Sequence, residues 1–188
     1  MDRSELDAAR EHERSKYLRL AADRNDYGAT SHGAPLLDLV CSLQPEHVVD
    51  FGCGRNQFCA ALRARGVRAT GIDFAFAEAD VAAAMHDVPL EADSADVVTS
   101  FDALEHLLPD DVPLVLAEMA RVGRPGGWFF FTIAFLPSVN TVDGEGLHPT
   151  TKPLEWWIER ISAVGDVLRK GGDHAGGAVG GRFSKRSI

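Results

Sequence analysis

Residues 48–54, Val-Val-Asp-Phe-Gly-Cys-Gly, constrain the fold more than any other stretch of the chain. An apolar run carrying one acid, Asp50, breaks at once into two close glycines, Gly52 and Gly54. Such a run reads as a buried strand that ends in a tight turn whose backbone can touch a ligand. A dinucleotide-binding turn needs a third glycine three residues on, where this chain has Gln57, and a backbone free for a pyrophosphate. A phosphate placed beside Asp50 would be repelled. The carboxylate suits a ligand with a positive group and no phosphate.

Strand and helix patterns alternate around this stretch. Residues 4–23 are charged and helix-forming, with a thin apolar stripe (Leu6, Ala9, Tyr17, Leu18, Ala21), which predicts a polar helix lying on the domain. It ends at Asn25-Asp26-Tyr27-Gly28, and Pro35 opens a second helix over 36–43. Strand one is 47–51, followed by a helix over 58–65 that stops at Gly66. Strand two is 68–72, a weak alanine-rich strand three is 81–85, and strand four is 96–101. A helix over 112–121, a turn at 124–127 and strand five at 128–134 come next. A last helix over 154–163 precedes a strand pair, 166–169 and 182–188, joined by a glycine-rich loop at 171–181 expected to be mobile. Strands separated by helices predict an α/β, doubly wound, mostly parallel seven-stranded sheet with ligands at the carboxyl ends of its strands. The connection after strand two is too short for a full crossover helix.

The bulk numbers exclude several classes. At 188 residues the chain fits one domain, read as a lid-like helical segment over 1–32 and a catalytic core over 33–188. The net charge of −9 and the lack of a long basic run make nucleic acid an unexpected partner. No apolar run reaches membrane-span length and no secretory signal opens the chain, so a cytoplasmic location is expected. Three cysteines in no metal-like pairing read as free thiols. The oligomeric state is not legible.

Two further acids follow strand ends. Asp73 closes Thr70-Gly71-Ile72-Asp73, where a carboxylate can accept both hydroxyls of a ribose; a loop or capping acid is the plainer alternative. Asp87 lies in His86-Asp87-Val88-Pro89-Leu90. It could take an adenine amine while the Val88 N–H meets a ring nitrogen, or simply form a turn before Pro89.

With these acids on the page, the chain resembles class I S-adenosylmethionine-dependent methyltransferases. The matching pieces are 48–54, Gly71-Ile72-Asp73, Asp87-Val88-Pro89-Leu90, 96–106 (Asp-Val-Val-Thr-Ser-Phe-Asp-Ala-Leu-Glu-His) and Arg121-Val122-Gly123-Arg124-Pro125-Gly126-Gly127. The resemblance implies a Rossmann-like methyltransferase fold and S-adenosylmethionine, whose ammonium and sulfonium suit Asp50. It also implies that Asp50, Gly52 and Gly54 line the methionine part, that Asp73 holds the ribose, that Asp87 contacts adenine, and that Phe101 borders the cofactor near the substrate. Cys53, Phe74 and Val88 join this cofactor-binding set. So does Asn56, which stands where many members have a third glycine.

A second constellation is Asp102-x-x-Glu105-His106, whose three side chains share a face if a helix starts there. His148 lies in the segment after strand five, which reaches the same sheet edge. Glu105, His106 and His148 are the candidate catalytic residues, with a histidine as general base and Glu105 orienting His106. Asp102, Glu105, His106 and His148 are also candidate ligands for a divalent metal, a set similar to the Glu-x-x-Glu-His plus distal His of metal-assisted methyltransferases. Metal is not required by this reading. Trp156 and Trp157 are adjacent, so one is expected in the core while the other is free to stack on a flat acceptor. His32, Tyr27 and Lys152 are lid candidates. The expected function is methyl transfer to a hydroxyl or amine of a small-molecule acceptor such as a sugar, nucleotide or other metabolite. The rivals are a metal-assisted RNA 2′-O-methyltransferase and a non-catalytic S-adenosylmethionine-binding module.

Overall fold

The computed structural model describes residues 2–24, 27, 28 and 30–184. Four strands run parallel: β1 (His47–Phe51), β2 (Arg68–Ile72), β3 (Ala95–Phe101) and β4 (Gly123–Ala134). A small hairpin, β5 (Thr141–Val142) with β6 (Glu145–Gly146), stands apart. β7 (Gly165–Gly172) and β8 (Gly176–Phe183) complete the main sheet antiparallel, in the order β2-β1-β3-β4-β8-β7.

The alternation of side chains along each strand divides the core into two layers. Val48, Val97 and Phe130 pack on one face against Phe58, Cys59 and Leu62 of α3 (Gln57–Arg63) and Val40 of α2 (Leu37–Ser42). Val49, Phe51, Val98, Phe129 and Phe131 face the other way, onto α4 (Val112–Val122) and α5 (Leu154–Ile161). On α4 the buried positions are 112, 115, 116, 119 and 122, the stripe a helix must show to cover a sheet. Truncating Leu116 or Met119 to alanine removes a wholly buried side chain at a cost of about 2–5 kcal/mol. The doubly wound arrangement brings the carboxyl ends of β1–β4 to one edge, with the strand order reversing between β1 and β3. That reversal opens the crevice where such sheets take ligands.

Three expectations are corrected here. Among the described residues the sheet has six strands, because the third predicted strand shrinks to a single bridge between Val81 and Ile72. Residues 82–84 are alanines with no branched side chain to cover a neighbouring strand. The segment 171–181 is not a mobile loop but most of the β7–β8 hairpin, turned by Asp173, whose carboxylate accepts from the Ala175 N–H at 2.7 Å. Most of its glycines serve close packing: a Cβ on Gly181 would lie 2.1 Å from the Asp166 carbonyl and 2.5 Å from the Phe129 ring. Residues 124–127 belong to β4, as a bulge between the Ala95–Gly123 and Val97–Trp128 pairs. The predicted strand end at 185–188 lies outside the described residues, as do Asn25 and Asp26 of the predicted first-helix stop.

α1 (Arg3–Asp23) begins with a capping box between Asp2 and Glu5 and buries only Lys16, Tyr17 and Leu20. It lies across the carboxyl edge of the sheet rather than in the core. Among the described residues no helix is long and apolar enough to cross a membrane.

Candidate active site

The turn after β1 is built as its sequence predicts. Gly52 and Gly54 hold φ of 72° and 52°, a region that favours glycine. A Cβ on Gly52 would also meet the Ala103 methyl at 2.5 Å. The Gly52 and Cys53 N–H groups donate to the Ile72 carbonyl, and the Gly54 N–H donates to Asp73 Oδ2 at 3.0 Å. The turn is thereby tied to the end of β2. Asp73 Oδ1 accepts from the Ala75 N–H at 2.8 Å, and the carboxylate keeps acceptor capacity for a ligand hydroxyl. Asp50 is buried and accepts from Thr99 Oγ1 at 2.6 Å. Burial pushes its carboxyl up to about 7, against the pull of the Thr99 bond and with help from the nearby Asp73 charge. A cation beside Asp50 would favour its ionised form. These residues fit a ligand that carries a positive group at Asp50 and a diol at Asp73.

Asp50, Gly52, Cys53, Gly54, Asp73, Phe74 and Phe101 all line one cleft of about 1230 Å³. Three predicted cofactor contacts do not. Asn56 sits beneath the turn in the left-handed region, φ 59°, which accounts for glycine being common at this place. Its Nδ2 donates to the Glu78 carbonyl and to Asp80 Oδ2, away from the cleft. Asp87 is exposed and outside the cleft, and the Val88 N–H is already spent on Glu118 Oε1 at 3.0 Å. The wall expected there is made by the backbone-rich run Ala82 to His86, which the sequence pattern does not mark.

The opposite half of the cleft holds the second constellation. Glu105 is wholly buried, in a single 3₁₀ turn over Leu104–His106 rather than an α-helix. Its Oε1 accepts from the Ala134 N–H at 2.9 Å, and its buried Oε2 finds no hydrogen-bond partner among the described residues. Burial raises this carboxyl to about 8, outweighing the backbone bonds that favour the charge. His106 is pushed down to about 4, first by burial and then by His148. Its Nδ1 lies 2.7 Å from the Leu147 carbonyl, and His148 Nδ1 lies 2.7 Å from the Leu136 carbonyl. A carbonyl only accepts, so each Nδ1 carries the proton and each Nε2 keeps the lone pair. One ligand atom from each of Glu105, His106 and His148 falls within 4.8 Å of the others.

Asp102 does not join this cluster. Its backbone is left-handed, φ 49°, which turns the carboxylate to Thr132 Oγ1 at 2.7 Å and to His32 Nδ1 at 2.7 Å. The metal set is thus three residues, not four. Two free Nε2 lone pairs and one unpartnered carboxylate oxygen fit a divalent cation in donor type. Trp157 is in the core, as expected of one tryptophan; Trp156 stacks on Arg160 at 3.5 Å and does not line the cleft. Lys152 is likewise outside the cleft, while His32 and Tyr27 line it.

α1 closes the site from above. Asp7, Arg10, Glu11, Glu13, Arg14 and Tyr17 line the cleft. Polar ties hold the helix: Arg10 to Asp111, Lys16 to the Gly146 carbonyl, and His12 to Glu145 at 2.6 Å. A small apolar cluster of Tyr17, Leu20 and Leu147 adds to them. Tyr17 is a cleft-lining residue that sequence reasoning missed, since it counts there only as one of a thin apolar stripe.

A family model described as a methyltransferase domain matches residues 49–131, from β1 through β4. That stretch of the chain is similar to a methyltransferase domain. Among solved structures, an N1-methyltransferase for 1,6-didemethyltoxoflavin from Burkholderia thailandensis superposes with a TM-score of 0.74. It shares 17% identity, and the match covers 98% of this chain and 92% of that one. A malonyl-[acyl-carrier protein] O-methyltransferase of Serratia marcescens is 37% identical over 60% of this chain and 51% of its own length. A ubiquinone biosynthesis O-methyltransferase of Paracidovorax citrulli is 34% identical over 51% of this chain and 47% of its own. This chain therefore spans about half the length of the curated methyltransferases it matches.

Proposed function

We propose that this protein transfers a methyl group from S-adenosylmethionine to a hydroxyl or amine of a small-molecule acceptor. The observation that carries the reading is one continuous cleft. Asp50, the Gly52–Gly54 turn and Asp73 form one wall, and Glu105, His106 and His148 form the other. The curated O-methyltransferase relatives and the structural relative described with bound S-adenosylhomocysteine support it. When bound, S-adenosylmethionine supplies an electrophilic methyl group on a sulfonium.

The chain's own residues do the rest. Asp73 accepts the ribose hydroxyls, and Asp50 faces the positive end of the ligand. The docked α1 keeps water from the cleft, making residues 1–32 the lid over a core of 33–188. A histidine Nε2 takes the proton that the acceptor sheds as it attacks. Positioning in a covered site carries much of the rate for such a displacement. Phe101 and Gly33, packed together, border the passage between the two halves.

Mass spectrometry with isotopically labelled S-adenosylmethionine and a metabolite library tests this reading. A labelled product that is lost in His106→Ala or His148→Ala, with cofactor affinity kept, is the expected result. Cofactor binding without any labelled product would replace the reading with that of a non-catalytic binding module. Failure to bind the cofactor would end both.

One observation favours a second reading. The unpartnered, buried Glu105 Oε2 next to His106 and His148 suits a divalent cation. Held there, a cation would polarise an acceptor oxygen as a Lewis acid. Activity that a chelator abolishes and magnesium restores would select it. RNA as the acceptor lacks such support, since Arg169, Lys170 and Arg182 lie on the β7–β8 hairpin and do not line the cleft.

A further inference from the structure

α1 buries only Lys16, Tyr17 and Leu20, yet it places one side chain against the proposed catalytic cluster. The Tyr17 hydroxyl lies 2.6 Å from His106 Nδ1 and donates to the Leu147 carbonyl at 2.7 Å. His106 Nδ1 is itself 2.7 Å from that carbonyl, which closes a triangle. Only one arrangement of protons satisfies it. Leu147 offers two acceptor lone pairs and no proton, so the tyrosine hydrogen and the Nδ1 hydrogen both point at it. The Tyr17 oxygen lone pair then faces the same Nδ1–H.

The ring is clamped as well as bonded. Tyr17 meets His106 edge-on at 5.3 Å between ring centroids, and Phe74, from the cofactor wall, edge-on at 6.2 Å. With Leu147 and Leu20 it forms the small cluster that seats α1. Residues of this helix line the cleft, and the ties that hold it to the rest of the chain are mostly polar.

We propose that Tyr17 is a positioning residue: delivered by the docking of α1, it fixes His106 with its proton on Nδ1, so that the base is complete only when the helix covers the cleft. The inference rests on the proposed use of His106 as base. Tyr17 touches the histidine and not the reacting atoms. The device couples closure to chemistry, because an open helix leaves His106 with the single Leu147 bond and a freer ring.

Tyr17→Phe keeps the ring and removes the hydroxyl. Long-range proton–nitrogen NMR of the protein alone, with His106 assigned by mutation, reads the tautomer without any acceptor. The wild type is expected to show Nδ1–H alone, and the variant a mixture of both tautomers. On the acceptor returned by the labelled-cofactor screen, kcat should fall about 3- to 10-fold, the worth of one neutral hydrogen bond. The acceptor KM and the S-adenosylhomocysteine affinity, measured by calorimetry, should stay within about 2-fold. An unchanged tautomer in Tyr17→Phe overturns the proposal, and so does a changed tautomer with unchanged kcat. If the wild type transfers no methyl group at all, the failure belongs to the functional reading, because the tautomer measurement does not depend on turnover. Lys16→Met provides a second test, since it loosens α1 from Glu145 and Gly146 without touching His106. The same tautomer mixture there supports delivery by docking, and a wild-type spectrum overturns it.

Discussion

Glu105→Gln separates the electrostatic role of the buried acid from its shape. Glu105 is wholly buried, and its carboxyl is raised to about 8 in the folded protein against 4.5 for a free glutamate. A group whose folded value is raised contributes its full stability below the unfolded value and loses it as pH rises toward the folded one. The ionised form is at home in the unfolded chain and poorly accommodated in the core. Between those limits each pH unit removes about 1.4 kcal/mol, so the interval from about pH 5 to 7.5 costs the wild type on the order of 3 kcal/mol. Glutamine keeps the bond from the Ala134 N–H and has no charge to lose. Urea unfolding of both proteins over this interval should show similar stability near pH 5, to within about 1 kcal/mol, and a gap in favour of the variant that widens with pH. Asp50 and Asp73 also respond to pH, but they are common to both proteins and cancel in the difference. Parallel curves would refute the burial argument. Magnesium that flattens the wild-type slope but not that of the variant would locate a cation at Glu105.

Other outcomes follow from the same geometry. Asp73→Ala removes the acceptor of the Gly54 and Ala75 N–H groups along with the proposed ribose contact, and should weaken S-adenosylhomocysteine binding at least about 10-fold by calorimetry. Asp87→Ala should leave that affinity within about 2-fold, because Asp87 stands outside the cleft; a larger loss would restore the adenine contact that the structure removes. Gly71→Ala sets a Cβ 2.1 Å from Asn56 Oδ1 and should cost about 1–3 kcal/mol in chemical unfolding. Adding Asn56→Gly should recover part of that loss, since residue 56 already has a glycine-like backbone and the pair is in contact. Additive losses would contradict the steric account.

Much of the architecture was legible because it depends on local pattern. Val48 and Val49 alternate between two faces, and 112, 115, 116, 119 and 122 recur at helical spacing, so strand, helix and layer follow from order along the chain. The glycine-rich tail was misread because glycine is ambiguous. Only the approach of Gly181 to Phe129 and the Asp166 carbonyl shows that the residue is there for space.

The sequence alone determined the doubly wound sheet, the glycine turn and the acids Asp50 and Asp73 at its edge, since each depends on residues near in the chain. Tertiary structure decided which candidates share a cleft. It turned Asn56 and Val88 to neighbours in the protein, swung Asp102 to His32 through a left-handed backbone, and brought Tyr17 to His106 across 89 residues. Those outcomes depend on competition among hydrogen-bond partners and on long-range packing. Neither is encoded in the spacing of residues along the chain.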